Sequence, residues 1–187
     1  MKIVCIGNSN VNGFPHPRSR CWVSLFREMT GHSVINKGIN GDSTDGVLQR
    51  FASDVSAHRP GMAIVLSGTN DFILLGRGPE EVMENYRKMA GLAMGQGIKP
   101  VFLIPPLTEP EQASRAWLDG TDYHACNRQL AELRGMMLEY GEAEAGNAQV
   151  IDLQTAYTGG FVDGIHLTEE GHAQAAQLIA AALAHIE

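Results

Sequence analysis

Short apolar runs alternate along this chain with longer segments whose apolar residues recur at helical spacing. The runs at residues 2–6, 33–36, 62–66, 99–104 and 149–153 have the length and composition of buried strands. Because a helical segment separates each run from the next, we expect a parallel sheet that is covered on both sides. The pattern therefore predicts an α/β fold, a three-layer α/β/α sandwich on a five-stranded parallel sheet, flavodoxin-like in its plan.

Two of the predicted helices have recognisable caps. One helix, capped by Asp42 or Ser43, is expected to run as far as Val55. The last helix, with Thr168 as its N-cap and acidic residues in its first turn, is expected to continue to Ile186. Both helices carry apolar residues that suit packing on a sheet.

Residues 107–123 fit neither pattern. They contain proline, glycine, several charges and Trp117 without strong periodicity. A connection of this length inside a compact domain is usually functional, so we predict a loop or lid over a site.

Length and composition limit the class of protein. A chain of 187 residues is most simply a single domain over residues 1–187, and its 44% hydrophobic and 19% charged residues are ordinary for a globular protein. The net charge of −7, without a basic run, argues against nucleic acid as a partner, because phosphate binding needs a basic surface. The N-terminal apolar segment is too short for a signal peptide or a membrane span, so we expect a cytoplasmic protein.

The cysteines offer no metal-binding pattern. Cys5 lies in an apolar run, and Cys21 and Cys126 are far apart in sequence. No C-x-x-C pair or cluster of histidine and cysteine has the spacing of a metal site, so none is predicted. The sequence leaves the oligomeric state open.

Polar or small residues follow three of the predicted strands at their carboxyl ends. Ser9 follows the first strand, Gly41 lies in the loop after the second, and Asn70 follows the third. Open α/β sheets bind ligands at this edge, and an asparagine amide there can stabilise an oxyanion. Each residue alone is equally consistent with an ordinary turn, because Ser, Gly and Asn are common turn residues.

Near the C-terminus, Asp163 and His166 stand three residues apart. An aspartate that accepts from one ring nitrogen of histidine fixes the tautomer and leaves the other nitrogen basic toward a nucleophile. Gly164 would let the backbone turn tightly between them, and Ile165 would anchor the turn to a core. Taken alone, the same residues could form a surface turn.

Four blocks of the chain, taken together and in order, resemble the SGNH (GDSL) hydrolase family. The blocks are Gly7-Asn8-Ser9-Asn10, Gly41, Gly68-Thr69-Asn70-Asp71 and Asp163-Gly164-Ile165-His166. They are similar, respectively, to the family's nucleophile block, its glycine, its G-x-N-D block and its D-x-x-H block. The resemblance spans nearly the full chain and implies the SGNH hydrolase fold and ester hydrolysis without a metal or an organic cofactor.

The resemblance also implies a role for each site residue. Ser9 would be the nucleophile, His166 the general base and acid, and Asp163 the residue that orients His166. The oxyanion hole would be formed by the backbone N–H groups of Ser9 and Gly41 and the side chain of Asn70. The function implied is a serine esterase or acylhydrolase that acts on small-molecule esters through an acyl-enzyme intermediate.

Two residues depart from the G-D-S-L sequence that is usual in the family. Asn8 replaces the aspartate, and Asn10 replaces an apolar residue beside the nucleophile. A polar group at the site entrance would match a long acyl chain poorly. With Asn12, His16 and Arg18 close by in sequence, we expect short acyl groups on polar or sugar-like alcohols, such as acetylated carbohydrates.

Two other functions are compatible with the sequence. A flavodoxin-like module could bind a small ligand such as a flavin at the switch point of the sheet, although no glycine-rich phosphate loop is present and the Asp163–His166 pair would be unused. A catalytically silent relative could bind a small ligand instead, and the altered block around Ser9 is the sequence feature in its favour.

Overall fold

The computed structural model describes residues 1–184. Its strands are β1 (Lys2–Gly7), β2 (Ser33–Gly38), β3 (Met62–Leu66), β4 (Lys99–Ile104) and β5 (Gln149–Asp152). They form one sheet in the order β2-β1-β3-β4-β5, and every neighbouring pair is parallel. The predicted five-stranded parallel sheet is confirmed, with each strand within two residues of its predicted bounds.

Ten α-helices lie within the described residues. They are α1 (Ser9–Asn12), α2 (Trp22–Thr30), α3 (Thr44–Gln49), α4 (Phe51–Asp54), α5 (Thr69–Leu74), α6 (Pro79–Met94), α7 (Pro110–Ala116), α8 (Tyr123–Ala143), α9 (Leu153–Ala156) and α10 (Glu169–Leu183). None of these helices combines the length and the apolar character that crossing a bilayer requires.

The sheet separates two hydrophobic cores. Val4 and Ile6 of β1 pack into one core with α3, α4, α6 and α8, while Ile3 and Cys5 point to the opposite core with α2 and α10. Neighbouring residues of a strand face opposite sides, so a strand that is apolar throughout is buried on both. Each fully buried large aliphatic or aromatic side chain stabilises the fold by about 1.5–3 kcal/mol. These two cores confirm the three-layer arrangement.

Glycines at the ends of β1 and β2 bring the first polar turn close to its neighbours. A Cβ at Gly7, whose φ is +154°, would lie 1.9 Å from the carbonyl oxygen of Leu66. A Cβ at Gly38 would lie 2.1 Å from the backbone nitrogen of Asn12. Only glycine fits at both positions, so α1 can rest directly on the carboxyl edge of the sheet.

The helix predicted to run to Val55 is divided in two at Arg50. Ser43 is its N-cap and accepts from the N–H of Gly46. The backbone of Arg50 leaves the helical region (φ −98°, ψ 6°), and its guanidinium donates to the carbonyl oxygens of Gly7 and Lys37. These tertiary contacts end α3, which the apolar spacing could not indicate.

The last helix begins as predicted. The Thr168 side chain accepts from the N–H of Gly171 and caps α10. The helix is described as far as Leu183, and the predicted continuation through residues 185 and 186 lies outside the described residues.

Candidate active site

Ser9, His166 and Asp163 form one continuous line of hydrogen bonds. Ser9 Oγ lies 2.9 Å from His166 Nε2, and His166 Nδ1 lies 2.6 Å from Asp163 Oδ2. A proton on Nδ1 that is held by the carboxylate leaves Nε2 free to accept from the serine hydroxyl. The fold therefore joins two groups 157 residues apart, and His166 is only 2% exposed.

The turn that carries Asp163 and His166 is fixed by hydrogen bonds within the turn and by packing against Ala113. Asp163 Oδ1 accepts from the N–H groups of Ile165 and His166, at 3.1 and 2.8 Å. Gly164 has a φ of +85°, and a Cβ there would lie 2.4 Å from the backbone nitrogen of Ala113. Ile165 is buried in a small apolar cluster with Ala113. The glycine and the isoleucine thus act as the sequence predicted.

Ser9 is the first residue of the four-residue helix α1, where the sequence indicated only a turn. Asn8 is the N-cap of this helix, and its Oδ1 accepts from the N–H of Asn10 at 3.0 Å. Asparagine and aspartate are similarly good N-caps. The replacement at Asn8 therefore keeps the turn that presents Ser9. A helix this short has no apolar period by which it could be recognised.

The three oxyanion-hole candidates follow adjacent strands of the sheet. Gly41 lies in the exposed loop after β2 with a φ of +76°, Ser9 follows β1, and Asn70 lies in the first turn of α5 after β3. The backbone N–H groups of Ser9 and Gly41 donate to no residue among 1–184. Asn70 Nδ2 donates to the carbonyl oxygen of Asp42 at 2.9 Å.

Asp42 and Arg50 hold the Gly41 loop from behind. Asp42 Oδ2 accepts from Arg50 Nε at 2.7 Å, and Oδ1 accepts from the N–H of Ser43 at 3.1 Å. Arg50 Nη2 also donates to the carbonyl oxygen of Gly7, next to the nucleophile turn, at 3.0 Å. One guanidinium therefore ties the Gly41 loop to the end of β1. The sequence did not single out Arg50, because nothing local marks this role.

Asp71 fixes the other end of the same loop. Its two carboxylate oxygens accept from the N–H of Thr44 at 3.1 and 3.0 Å, and Oδ1 also accepts from the Thr44 hydroxyl at 2.6 Å. Burial raises the pKa of Asp71, and the hydrogen bonds from Thr44 oppose that shift. Asp71, which lies in α5, therefore binds the N-terminus of α3 rather than that of its own helix.

Two aromatic rings cover His166. The ring centroids of Phe14 and Trp117 lie 4.8 and 4.7 Å from that of His166, and both meet it edge to face at 71°. Trp117 follows α7, within the segment predicted as a loop or lid, and is 43% exposed. The segment is held to the catalytic turn by the N–H of Glu109, which donates to the carbonyl oxygen of Gly164 at 2.8 Å. It thus lies over His166, and the helix α7 inside it was not predicted.

Asn10 does not lie at the site entrance, so that expectation is wrong. The residue is only 6% exposed. Nδ2 donates to the carbonyl oxygen of Ile165 at 3.2 Å, and Oδ1 accepts from the N–H of Leu167 at 3.3 Å. The residue after the nucleophile points along α1 toward the histidine loop, a direction that only the fold determines.

The cysteines show no sign of metal chemistry within the described residues. Residues 1–184 contain no group of three or more His, Cys, Asp or Glu side chains that could hold a metal ion. Cys5, Cys21 and Cys126 are buried and form no disulfide. Burial raises the pKa of Cys126 to about 12 and that of Cys5 well above its usual value, which disfavours the thiolate that metals and electrophiles require.

Comparison with known proteins identifies the family of the chain. The sequence model of the GDSL-like lipase/acylhydrolase family matches residues 5–174. The chain is 24% identical to the uncharacterized lipoprotein YqeF of Bacillus subtilis (strain 168) over 90% of its own length and 84% of the relative. It is 30% identical to the arylesterase of Vibrio mimicus over 56% of each chain. The crystal structure of a member of the lipolytic protein G-D-S-L family from Veillonella parvula DSM 2008 superposes with a TM-score of 0.81 and 22% identity over all of both chains. The chain therefore belongs to the GDSL-like lipase/acylhydrolase family and is a carboxylic ester hydrolase.

Proposed function

We propose that this chain is a serine esterase that forms an acyl-enzyme intermediate on Ser9. The observation that carries the proposal is the 2.9 Å contact between Ser9 Oγ and His166 Nε2, continued by Asp163. A serine hydroxyl is a weak nucleophile until a base adjoins it, and this contact supplies the base. No metal or organic cofactor takes part in the proposed reaction.

In the first half-reaction, Ser9 Oγ attacks the carbonyl carbon of the ester while His166 Nε2 takes the hydroxyl proton. The carbonyl π electrons move to oxygen and form a tetrahedral oxyanion. When this intermediate collapses, the bond to the alkoxy oxygen breaks and His166 returns its proton to that oxygen. The alcohol leaves, and the acyl group remains on Ser9.

The second half-reaction uses the same groups with water as the nucleophile. His166 takes a proton from water as the water oxygen attacks the acyl carbonyl carbon. Collapse of the second tetrahedral intermediate breaks the bond to Ser9 Oγ and returns the proton to it. The carboxylic acid leaves, and the enzyme is restored. Asp163 holds the Nδ1 proton throughout and stabilises the imidazolium.

The oxyanion is proposed to bind the N–H groups of Ser9 and Gly41 and the side-chain amide of Asn70. The first two donors have no partner within residues 1–184, so a substrate oxygen need not displace a protein acceptor. Donors that are fixed before the reaction stabilise the charge without reorganisation, and each contributes roughly 10²- to 10³-fold in rate.

For the substrate, we propose short acyl esters of polar alcohols, acetylated carbohydrates included, on only part of the basis that the sequence offered. Asn10 no longer supports this choice, because it is buried. An exposed polar cluster remains, in which Arg18 donates to Asn12 Oδ1 at 2.9 and 2.6 Å and Asn12 donates to Asn40 at 2.8 Å. The half-exposed ring of Trp117 offers an apolar face, and ring-shaped alcohols with hydroxyl groups need both kinds of contact.

The test of the mechanism is a fluorophosphonate, which reacts with an activated serine. Mass spectrometry of the intact protein should show one adduct, and peptide mapping should place it on Ser9. Ser9→Ala should abolish the adduct and His166→Ala should slow its formation by more than about 10³-fold, with circular dichroism showing that both variants are folded. Absence of an adduct on folded wild-type protein would favour a silent ligand-binding relative.

The substrate proposal is tested separately with one alcohol esterified to acyl groups from acetyl to decanoyl. We expect kcat/KM to be highest for acetyl and to fall with chain length. Comparable rates across the series would contradict the short-acyl proposal and leave the serine mechanism intact.

A further inference from the structure

The side chain of Asn10 binds the backbone on both sides of His166. Its Nδ2 donates to the carbonyl oxygen of Ile165, and its Oδ1 accepts from the N–H of Leu167. Ile165 and Leu167 are the chain neighbours of His166. One amide therefore joins the helix that presents the nucleophile to the two residues that flank the proposed general base.

Asn10 is itself held firmly. Its backbone N–H donates to Asn8 Oδ1 at 3.0 Å, and its carbonyl oxygen accepts from Trp22 Nε1 at 2.9 Å. It is the residue next to Ser9, so these bonds also fix the position of Ser9 relative to the amide. The Asn10 side chain is thus a short and rigid link between the two reacting groups.

The other polar contacts of the histidine turn do not supply this link. Asp163 binds His166 and the N–H of Ile165, but it belongs to the same turn and moves with it. It sets the tautomer and the orientation of the ring and cannot set the distance from the turn to Ser9. His16 Nε2, 3.1 Å from the carbonyl oxygen of Leu167, reaches the turn from the loop after α1. Asn10 reaches it at two points from α1 itself.

We propose that Asn10 is a positioning residue that sets the distance between Ser9 Oγ and His166 Nε2. This inference rests on the proposed serine mechanism. An apolar residue, as in G-D-S-L, could fill the same space but would leave the carbonyl oxygen of Ile165 and the N–H of Leu167 without this partner. A misplacement of about 1 Å in a catalytic group can cost on the order of 10²-fold in rate. The effect of Asn10 therefore falls on the rate of proton transfer and not on substrate binding.

Asn36 provides a matched control. Its Nδ2 donates to the carbonyl oxygen of Val11 at 2.8 Å, and its Oδ1 accepts from the N–H of Gly38 at 2.9 Å. It thus makes the same two kinds of backbone bond to the neighbourhood of α1, from the β2 side, and it makes no hydrogen bond to residues 163–167. Asn10→Leu and Asn36→Leu each remove a pair of backbone hydrogen bonds while keeping the number and branching of the side-chain heavy atoms. Asn36→Leu also removes the 3.5 Å contact from Nδ2 to Cys21 Sγ.

The experiment compares wild type, Asn10→Leu, Asn36→Leu and the isosteric Asn10→Asp, which keeps the acceptor for Leu167. For each, the melting temperature, kcat and KM for one ester, and the rate of fluorophosphonate labelling are measured. We expect both leucine variants to lose thermal stability. Only Asn10→Leu should lose about 10- to 100-fold in kcat and in labelling rate, with KM within about twofold. Asn10→Asp keeps the acceptor for Leu167 but turns a carboxylate oxygen toward the carbonyl oxygen of Ile165, so it should also lose labelling rate.

Four outcomes would overturn the inference. If folded Asn10→Leu labels at the wild-type rate while wild type labels on Ser9, the serine mechanism stands and the positioning role does not. If Asn36→Leu loses as much kcat as Asn10→Leu, the effect is general loosening of α1. If wild type forms no adduct on Ser9, the proposed function fails and this inference fails with it. If Asn10→Leu does not fold, Asn10→Asp provides the test. An unchanged rate of fluorophosphonate labelling in Asn10→Asp would also overturn the positioning role of Asn10.

Discussion

The two sides of Ser9 are built differently. On the side of the general base, His166 is buried, both ring nitrogens have a hydrogen-bond partner, and its ring is covered by Phe14 and Trp117. Asn10 also binds the backbone at the neighbouring residues. The imidazole is therefore enclosed and fully engaged before any substrate arrives.

The side proposed to bind the oxyanion is open. Gly41 is exposed, and its N–H and that of Ser9 donate to no residue in the described part of the chain. Rigidity comes from behind the loop, through Asp42 to Arg50 and through Thr44 to Asp71. The two backbone N–H groups that would meet the substrate are left free, while Asn70 Nδ2 also donates to the carbonyl oxygen of Asp42.

The difference follows from what each side has to do. A general base must present one nitrogen in one tautomer, so every other atom of the ring and of its turn is best fixed. Oxyanion donors act on a charge that is present chiefly in the transition state, so they must be oriented in advance and still unpaired. The comparison predicts that substitutions at contacting groups cost most, and that substitutions in the surrounding layer cost less.

Among substitutions that compare the two sides, the largest effect is expected at Asp163 on the enclosed side. Asp163→Asn keeps the shape of the side chain but favours the tautomer with the proton on Nε2, which can no longer accept from Ser9. We expect kcat to fall by about 10⁴-fold. Asp122→Asn, at the exposed N-cap of α8, is the control, because Asp122 likewise accepts a backbone N–H and is expected to leave kcat unchanged. A loss of less than about tenfold at Asp163 would mean that Asp163 does not determine the tautomer of His166.

Asn70 tests the open side. Asn70→Ala removes one proposed oxyanion donor, and kcat should fall by about 10²- to 10³-fold with little change in KM. Asn70→Asp replaces the donor with an acceptor of the same shape, so it should be at least as slow as Asn70→Ala. An aspartate variant faster than the alanine variant would show that the amide does not face developing negative charge. Steady-state kinetics with one ester measure all three proteins.

Trp117 tests whether the aromatic cover matters to the base. Trp117→Ala exposes one face of His166 to water and removes an edge-to-face contact of the kind worth about 0.5–1.5 kcal/mol, so we expect kcat to fall by roughly 2- to 12-fold. Trp117→Phe keeps an edge toward His166 and should retain most of the rate. Equal rates in all three proteins would show that enclosure of the imidazole is a structural feature without influence on the reaction.

Much of the fold was readable from the sequence because its signals are local. Each strand is a short apolar run that ends in a glycine, proline or polar residue, and Ser43, Pro79 and Thr168 mark helix starts. The site residues were predicted from the resemblance of four blocks, taken in order, to those of the SGNH hydrolases. The first three blocks follow strand ends, which meet at one edge of a parallel sheet, whereas Asp163 and His166 lie beyond α9. The cytoplasmic location and the single-domain extent stay predictions.

The remaining features depend on contacts between distant segments. Arg50 interrupts a helix because its guanidinium reaches two strand ends, and Asp71 caps α3 rather than its own helix. The direction of Asn10 depends on the packing of a turn more than 150 residues away, so a pattern beside Ser9 could only suggest the site entrance. Periodicity reports which face of an element is buried and does not report which partner covers it.

The smallest effect on rate is expected at His172, behind the enclosed side, where the measurable change is in stability. His172 is fully buried, and its Nδ1 accepts from the N–H of Trp22 at 3.3 Å. Its ring lies 5.8 Å from that of His16, which binds the carbonyl oxygen of Leu167. Burial, together with His16 and His166, lowers the pKa of His172 to about 4.

Since histidine in an unfolded chain has a pKa of about 6.5, the unfolded state binds a proton between about pH 6.5 and pH 4 that the folded state does not. This contribution to stability is therefore present above about pH 6.5 and is lost as the pH falls toward 4.

In His172→Asn the amide oxygen can take the place of Nδ1 and does not titrate. From pH 7 to pH 4, we expect the free energy of unfolding of wild type to fall relative to the variant by on the order of 1–3 kcal/mol, as measured by urea denaturation. The variant should hydrolyse esters at pH 7 within about twofold of wild type, since His172 contacts no reacting group. If the two proteins lost stability in parallel across this range, the layer behind His166 would not be the source of acid sensitivity, and the enclosed side would owe its stability to hydrogen bonds and packing that do not titrate.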